Sequence, residues 1–156
     1  MPTVRRVSAD TVRPLRTAVL RPTWTDRLAT YPEDETVATH VAVTRDGHGA
    51  PDGVGTVYAE APPDAHRGEI PAAAYADGAS WRLRGMATSE AARGTGLGRQ
   101  VLEGCFDAVR QGGGRYLWCN ARIGAVPFYE RLGLAAVGPA FDIPEIGPHY
   151  VMWRAL

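Results

Sequence analysis

Residues 93–99 read Arg-Gly-Thr-Gly-Leu-Gly-Arg, so glycine occupies every second position and a cation stands at each end. Peptide N–H groups flanked by glycine can approach an anion closely, because no β-carbon stands in the way. A strand-like pattern precedes this segment and a helical pattern follows it, which places it at a helix N-terminus, where free N–H groups and the helix dipole favour negative charge. We therefore predict that residues 93–99, the glycine loop, bind a pyrophosphate group. A glycine-rich turn without a ligand is the alternative.

Two other phosphate-binding patterns do not fit the glycine loop. Its spacing is G-x-G-x-G rather than the G-x-G-x-x-G of a dinucleotide-binding fold, and no Gly-Lys-Ser/Thr follows as it would in a P-loop. The loop also does not belong to the first strand–helix unit of the chain. The glycine loop therefore belongs to neither of these two kinds of phosphate-binding site.

Composition limits the class of protein. The 156 residues suit one domain, residues 1–156, and the 17 basic and 17 acidic residues balance, which argues against nucleic acid or an anionic membrane as the main partner. Apolar stretches are too short to span a bilayer and no signal-peptide pattern opens the chain. Cys105 and Cys119 fall in apolar patterns, so we expect buried, reduced thiols in a cytoplasmic protein rather than a disulfide or a reactive pair. The four histidines form no Cys/His cluster, and no metal site is expected.

Hydrophobic periodicity and turn residues predict seven strands and three or four helices in the order β-α-(α)-β-β-β-α-β-α-β-β. Asp10 or Thr11 is the expected cap of the first helix, with Pro14 in its first turn. Residues 21–36, 61–79 and 139–148 are expected to be loops. The predicted strands are Val4–Val7, Val37–Thr44, Val54–Glu60, Trp81–Thr88, Arg115–Asn120, Leu134–Gly138 and His149–Leu156. An apolar stripe is expected on the helix 97–111, formed by Leu97, Val101, Leu102, Cys105, Phe106 and Val109. A second stripe is expected on the short helix that follows the next strand, formed by Ala125, Phe128, Tyr129 and Leu132.

Residues 84–134 resemble motifs A and B of the GNAT acyltransferase superfamily, which moves acyl groups from acyl-CoA. Motif A corresponds to Arg93, Gly94-Thr95, Gly96, Leu97 and Gly98. Motif B corresponds to the strand Tyr116–Asn120 followed by Ala125, Phe128-Tyr129 and Gly133-Leu134. The two motifs cover a third of the chain, and their joint occurrence is far more specific than a glycine loop alone.

The resemblance implies an α/β (α+β) fold with a mixed, mostly antiparallel sheet of about six or seven strands flanked by about four helices, splayed between two parallel central strands. It implies coenzyme A as cofactor, with the pantetheine paired to the backbone of one central strand. The expected cofactor-binding residues are Met86, Ala87, Thr88, Arg93, Gly94, Thr95, Gly96, Leu97, Gly98, Arg99, Asn120, Ala125, Phe128 and Tyr129. Plain surface charge is the alternative for Arg93 and Arg99. Many members carry an asparagine where this chain has Arg122, so the role of Asn120 follows only from the similarity of the surrounding stretch to a bacterial subgroup.

The resemblance also implies catalytic groups. Tyr129 matches the family tyrosine that lies near the sulfur, and a phenol is protonated at neutral pH and can protonate a departing thiolate. A core tyrosine on an amphipathic helix is the alternative. The backbone N–H near Met86 is the expected oxyanion donor, and Gly85 is compatible with a bulge there.

The general base is open between several groups. His149 begins the last predicted strand, and imidazole takes up protons near neutral pH. Its rivals are Asp142, Glu145, the acidic run 33–35 and a water relayed to the backbone, with His40 less favoured. A structural histidine is the alternative.

Three further side chains are candidates for the acceptor site. Arg82 and Arg84 alternate with apolar residues on a predicted central strand, and two guanidinium groups there suit an acidic substrate group or ion pairs with loop carboxylates. Trp24, with Tyr31 and Trp153, is expected either to line an acceptor pocket or to pack.

The predicted function is transfer of an acetyl group from acetyl-CoA to an amine, a small molecule or a protein amino group, by direct attack in a ternary complex. A non-catalytic acyl-CoA-binding regulator and a transferase of larger acyl groups are the alternatives. The protein is expected to be a monomer or a homodimer.

Overall fold

A computed structural model describes residues 2–156 and shows seven strands and three α-helices in that range. The strands form one sheet in the order β1-β2-β3-β4-β5-β7-β6. Strands β4 and β5 pair in parallel, whereas β1–β2, β2–β3, β5–β7 and β6–β7 are antiparallel. The strands are β1 (Thr3–Val7), β2 (Thr39–Thr44), β3 (Gly53–Ala59), β4 (Ser80–Thr88), β5 (Tyr116–Arg122), β6 (Ala135–Ile143) and β7 (Gly147–Ala155), and the helices are α1 (Ala9–Leu20), α2 (Leu97–Gln111) and α3 (Val126–Arg131).

This architecture confirms the predicted fold class, a mixed and mostly antiparallel sheet with helices. Three α-helices stand where about four were expected, because residues 21–36 form turns instead of the optional second helix. No helix in the described range 2–156 is long and apolar enough to cross a membrane. The chain divides into two compact units, residues 2–58 with 84–108 (unit 1) and residues 59–83 with 109–156 (unit 2). The single-domain assignment stays a prediction.

In unit 1, α1 packs its apolar face on the sheet. Val12 of α1 belongs to a buried cluster with Ala42 of β2, Val54 of β3 and Ala87 of β4. The stripe predicted for α2 is confirmed, because all six of its residues are at most 3% exposed: Leu97, Val101, Leu102, Cys105, Phe106 and Val109. Regular spacing of apolar residues on a helix therefore gave the buried face directly.

In unit 2, the parallel ladder runs from Ser80–Tyr116 to Leu83–Cys119. Both strands extend beyond the last pair, β4 to Thr88 and β5 to Arg122, so the two are paired over only part of their lengths. Strand β5 then pairs with β7 over its whole length, and Arg122 lies opposite His149. Trp118, Val137 and Val151 on these strands pack with Ile70 and Ala74 into a buried cluster.

One predicted loop is wrong. The expected loop 139–148 is mostly strand, because β6 continues to Ile143 and β7 already begins at Gly147. A bulge between Val137 and Phe141 accommodates Pro139, which a regular ladder would not tolerate.

The start of α1 also differs from the expectation. The helix begins at Ala9 with Ser8 as its N-cap, not Asp10 or Thr11. Pro14 is therefore the sixth residue and lies beyond the first turn. The carbonyl that its missing N–H leaves without a helical partner belongs to Asp10, which is exposed to water.

A charged network fills the space between α1 and the segment 29–34 in unit 1. The guanidinium of Arg16 donates to both carboxylate oxygens of Asp34, at 2.8 and 3.0 Å, and both side chains are 0% exposed. It also donates to the carbonyl of Ala29 at 3.0 Å and to the hydroxyl of Thr56 at 2.8 Å. Asp34 in turn accepts the N–H of Tyr31 at 3.1 Å. Bidentate pairing of this kind compensates for the removal of both charges from water.

His40 extends the network and has a defined tautomer. Its Nε2 lies 2.9 Å from the carbonyl oxygen of Asp34, which can only accept, so Nε2 carries the proton. In the neutral ring, Nδ1 then accepts from the Thr56 hydroxyl at 2.8 Å, while that hydroxyl accepts from Arg16. Both ring nitrogens of this buried histidine are thus engaged in the structure of unit 1.

We predict that Asp34→Asn lowers the free energy of unfolding by about 3–5 kcal/mol at neutral pH, because it leaves the buried Arg16 charge unpaired. Burial raises the pKa of Asp34, but the hydrogen bonds from Arg16 and Tyr31 and the nearby positive charges outweigh it and hold this pKa below its usual range. A depressed native pKa stabilises the fold above the unfolded value of about 3.9 and ceases to do so as pH falls through the native value. The difference between wild type and variant, measured by urea unfolding, should therefore shrink below about pH 4. A constant difference, or a loss no greater than that of exposed Asp26→Asn, would contradict this account.

We also predict that neither cysteine reacts in the native protein. Burial raises the pKa of Cys105 and of Cys119 to about 12, and both thiols are free and buried, as the sequence predicted. Since the thiolate is the reactive form, a disulfide reagent in mildly alkaline buffer should titrate no thiol until denaturant is added and two afterwards. Rapid reaction of either thiol in the folded protein would contradict the prediction.

Candidate functional site

The glycine loop lies where the sequence predicts, at the N-terminus of α2. Residues 93–96 form turns and the helix begins at Leu97. Gly94 and Gly96 have φ angles of +76° and +83°, and a β-carbon at either would meet no atom within 4 Å. The loop residues 93–96 are exposed, so open space lies over this backbone.

The main-chain amides of this loop suit an anion. The N–H groups of Arg93, Thr95 and Gln100 donate to the carbonyls of Glu90, Ala92 and Gly96 and hold the turn in shape. The first N–H groups of α2 have no partner within the helix by the geometry of its first turn. Together with the helix dipole, they suit a bound anion, such as the pyrophosphate predicted from the sequence.

The two arginines of the glycine loop differ. Arg99 pairs with Glu103 one helical turn later, at 2.7 Å, with both side chains at least half exposed. Arg93 is exposed in the turn. An exposed pair of this kind is weak, so it does not prevent Arg99 from turning towards a phosphate.

Strand β4 contains the backbone proposed for the pantetheine and the oxyanion. Gly85 has a φ angle of +63°, which confirms the irregularity expected immediately before Met86. A β-carbon at Gly85 would lie 2.7 Å from Arg16 Nε and 3.3 Å from the Tyr31 ring, so only glycine fits. Met86 and Thr88 are half-buried and Ala87 is buried.

Both strand arginines face carboxylates and aromatic rings. In unit 1, Arg84 lies 3.9 Å from Glu33, and its guanidinium carbon is 3.8 Å from the centre of the Tyr31 ring. In unit 2, Arg82 pairs with Glu60 at 3.2 Å and lies 5.0 Å from the centre of the Trp118 ring. The structure therefore shows the ion pairs that the sequence left open as one alternative.

Trp24 borders an open cavity of about 430 Å³ in unit 1. The guanidinium carbons of Arg27 and Arg21 lie 3.8 and 5.7 Å from the centre of its ring. The cavity is lined by Pro14, Thr17, Ala18, Trp24, Thr25, Asp26, Arg27 and Leu28.

Tyr129 lies on the buried face of α3 in unit 2. It is 6% exposed, and its ring meets that of Phe128 edge-on with 5.2 Å between centroids. Leu132 is buried as well, and Ala125 and Phe128 are half-buried, so the predicted apolar face of this helix is confirmed.

His149 has the tautomer that a base requires. Its Nδ1 lies 2.7 Å from the carbonyl oxygen of Gly147, so Nδ1 is the donor and Nε2 of the neutral ring keeps its lone pair. The ring is 4% exposed and lies 6.0 Å from that of Phe141. The rivals Asp142 and Glu145 are exposed. Among the predicted bases in unit 2, His149 is therefore the buried one, and a hydrogen bond to Gly147 orients its ring.

Asn120 lies on β5 opposite Val151, two residues before Arg122. Its Oδ1 is buried without a hydrogen-bond partner within residues 2–156. An unsatisfied buried oxygen is costly, and a ligand that donates a hydrogen bond relieves the cost. This feature fits the predicted contact with the cofactor.

Sequence reasoning missed Arg16, and it considered Asp34 only as one member of an acidic run. A signal was present: the buried face of α1 consists of Ala9, Val12, Arg13, Arg16 and Thr17, so two arginines interrupt an otherwise apolar or small stripe. Charged residues in such a stripe require buried partners. Which carboxylate meets them could not be read from the pattern.

Comparison with known proteins agrees with this arrangement. Residues 65–144 match the family model described as acetyltransferase (GNAT) domain. The chain is 31% identical over 154 residues to the uncharacterized N-acetyltransferase YitI of Bacillus subtilis (strain 168), which covers 98% of this chain and 95% of that protein.

Two solved structures share the fold. An acyl-CoA N-acyltransferase from Pseudomonas aeruginosa aligns with a TM-score of 0.71 at 20% identity, over 99% of this chain and 100% of that one. FeeM, an N-acyl amino acid synthase from uncultured soil microbes, aligns with a TM-score of 0.73 at 12% identity, over 99% and 91%. Together with a family model that spans half of the chain and a curated relative of nearly the same length, these similarities identify the protein: it belongs to the GNAT family of acyl-CoA-dependent N-acetyltransferases.

Proposed function

We propose that the protein transfers an acetyl group from acetyl-CoA to an amine acceptor by direct attack in a ternary complex. The observation that carries the proposal is the exposed glycine loop at the N-terminus of α2, with left-handed glycines and open space above them. Coenzyme A, when bound, supplies the acyl group as an activated thioester. The chain's own residues bind it, orient it and move protons.

Within the predicted residues 94–99, the main-chain amides other than that of Thr95, which donates to Ala92, would hold the diphosphate. Because Gly94 and Gly96 have no side chain, the phosphate oxygens can approach the N–H groups to hydrogen-bond distance. The backbone of Met86–Thr88 extends the binding surface by strand-like pairing with the pantetheine. Asn120, Ala125 and Phe128 are further proposed contacts.

The N–H of Met86 is the proposed donor to the developing oxyanion. Gly85, immediately before Met86, has a left-handed φ that interrupts the regular strand. A main-chain donor fixed at such a place would stabilise charge in the transition state without reorganisation.

Two side chains are proposed to move protons. His149 Nε2 takes a proton from the amine, since the bond from Nδ1 to Gly147 orients the ring and leaves Nε2 as an acceptor. Tyr129 O–H donates a proton to the departing sulfur. Arg82, Arg84 and Trp24 are proposed to contact the acceptor, whose identity the chain's chemistry restricts only to amines.

A larger acyl group is the second candidate. The relevant observation is the fold shared with FeeM, an N-acyl amino acid synthase. A series of acyl-CoA chain lengths distinguishes the two donors: acetyl-CoA is expected to give the highest kcat/KM.

We predict that Gly96→Val weakens acetyl-CoA binding at least about tenfold, because a branched side chain stands where the diphosphate must approach. Gly113→Val is the matched control, since Gly113 also has a left-handed φ of +88° and open space around it. Both variants bear the same backbone strain, and only the loop variant should lose affinity in calorimetric titration. Equal affinities in the two variants would remove the glycine loop from the site.

We predict that Tyr129→Phe lowers kcat about 100-fold or more while acetyl-CoA affinity is retained, because only the proton donor is lost. Release of thiol is measured across a panel of amines, amino acids and polyamines, with Tyr116→Phe as control. His149→Gln should lower kcat similarly, because the proposed base is lost. An unchanged kcat in either variant would refute that residue's role, and binding without turnover for any amine in the wild type would favour the non-catalytic regulator.

A further inference from the structure

The side chain of Arg16 is buried, and all of its terminal N–H groups are hydrogen-bonded within the protein. Its two terminal nitrogens carry four N–H bonds, and four acceptors meet them: the two Asp34 oxygens, the Ala29 carbonyl and the Thr56 hydroxyl. The residue is 0% exposed. Its position is therefore fixed from α1, from the segment 29–34 and from β3 at once.

The remaining donor of Arg16, Nε, is buried and has no partner within residues 2–156. It lies 2.7 Å from the point where a β-carbon of Gly85 would stand, and Arg16 Cδ lies 3.3 Å from the same point. The stem of Arg16 thus fills the place of the missing side chain at Gly85. The backbone of β4 is in contact with a group that cannot shift without breaking four hydrogen bonds.

Tyr31 completes this contact. Its ring lies 3.3 Å from the same β-carbon position, 4.1 Å from the guanidinium carbon of Arg16 and 3.8 Å from that of Arg84. Arg84 immediately precedes Gly85 in the strand. The ring and the buried guanidinium together define where the left-handed turn of the strand can lie.

We propose that Arg16 is a positioning residue for acyl transfer: it holds the Gly85–Met86 backbone in the irregular conformation that presents the Met86 N–H to the reacting carbonyl. This rests on the proposed role of that N–H in the function above. Arg16 touches no substrate. It acts through the strand, and it also connects the segment 29–34 rigidly to the same strand.

The test separates this role from plain stabilisation by means of a matched arginine. Arg13 lies on the same helix, is also buried (8% exposed) and also contacts Asp34, at 3.4 Å, but its guanidinium is bonded to Asp10 and Glu35. Arg16→Lys and Arg13→Lys both keep the charge and lose the planar fork. Both are expected to lower the thermal midpoint.

Only Arg16→Lys is expected to lower kcat, by about 10–100-fold, with KM for acetyl-CoA unchanged, when both variants are assayed well below their thermal midpoints. A displaced oxyanion donor predicts this split between kcat and KM, whereas partial unfolding lowers the active fraction of both variants. Equal kcat losses in the two variants, or none in Arg16→Lys, would overturn the proposal.

A second pair of variants covers the case in which Arg16→Lys does not fold. Thr56→Val removes one of the four acceptors, and Thr56→Ser retains it. The valine variant is expected to lose kcat and the serine variant to recover it. Equal kcat in the two would overturn the proposal.

An amide readout keeps the inference separate from the proposed function. In ¹⁵N-labelled protein, the Met86 amide resonance is expected to move in Arg16→Lys and to stay in place in Arg13→Lys, whether or not the wild type turns over. A shifted resonance in an inactive wild type would refute the transferase role alone. An unmoved resonance in an active enzyme would refute the positioning role alone.

Discussion

The buried pair of Arg16 and Asp34 is the interaction on which the first unit depends. Two charges removed from water must satisfy each other, and here every terminal N–H of the guanidinium has an acceptor. Because Arg16 lies on α1 and its acceptors come from the segment 29–34 and from β3, the pair orders these three parts of the chain together. The same side chain occupies the place where a β-carbon at Gly85 would stand, so only glycine fits there. The hydrogen bonds that compensate the buried charge therefore also hold the side chain that lies against the backbone at Gly85, next to the proposed reaction centre.

The groups proposed to act are of two kinds. Those in unit 1 are main-chain N–H groups, in the glycine loop and at Met86, next to glycines with left-handed φ. Those in unit 2 are the side chains of Tyr129, whose ring packs on Phe128, and of His149, whose ring bonds to the Gly147 carbonyl. Backbone groups need no pKa adjustment to bind an anion, whereas the side chains must be in defined protonation states.

Local patterns in the sequence predicted much of the molecule. The glycine loop, the six-residue stripe of α2 and the face of α3 depend on residues within one or two turns of each other, and all three were confirmed as structural elements. The wrong predictions concern prolines whose setting depends on more than the neighbouring residues. Pro139 indicates a loop when read locally, but a bulge in β6 accommodates it within the strand, and the start of α1 at Ala9 moved Pro14 out of the first turn.

The sequence by itself determined the family and the position of the glycine loop, and it singled out the proposed proton donor, because motif spacing and glycine content are properties of short segments. Tertiary structure decided which charges meet: Asp34 is 18 residues from Arg16, and Thr56 is 40. It also decided which nitrogen of His149 keeps its lone pair, since a carbonyl oxygen can only accept. Hydrogen-bond partners that folding brings together from distant positions produce no regular pattern in the sequence. The partners of Arg16 and the tautomer of His149 therefore depend on the tertiary structure.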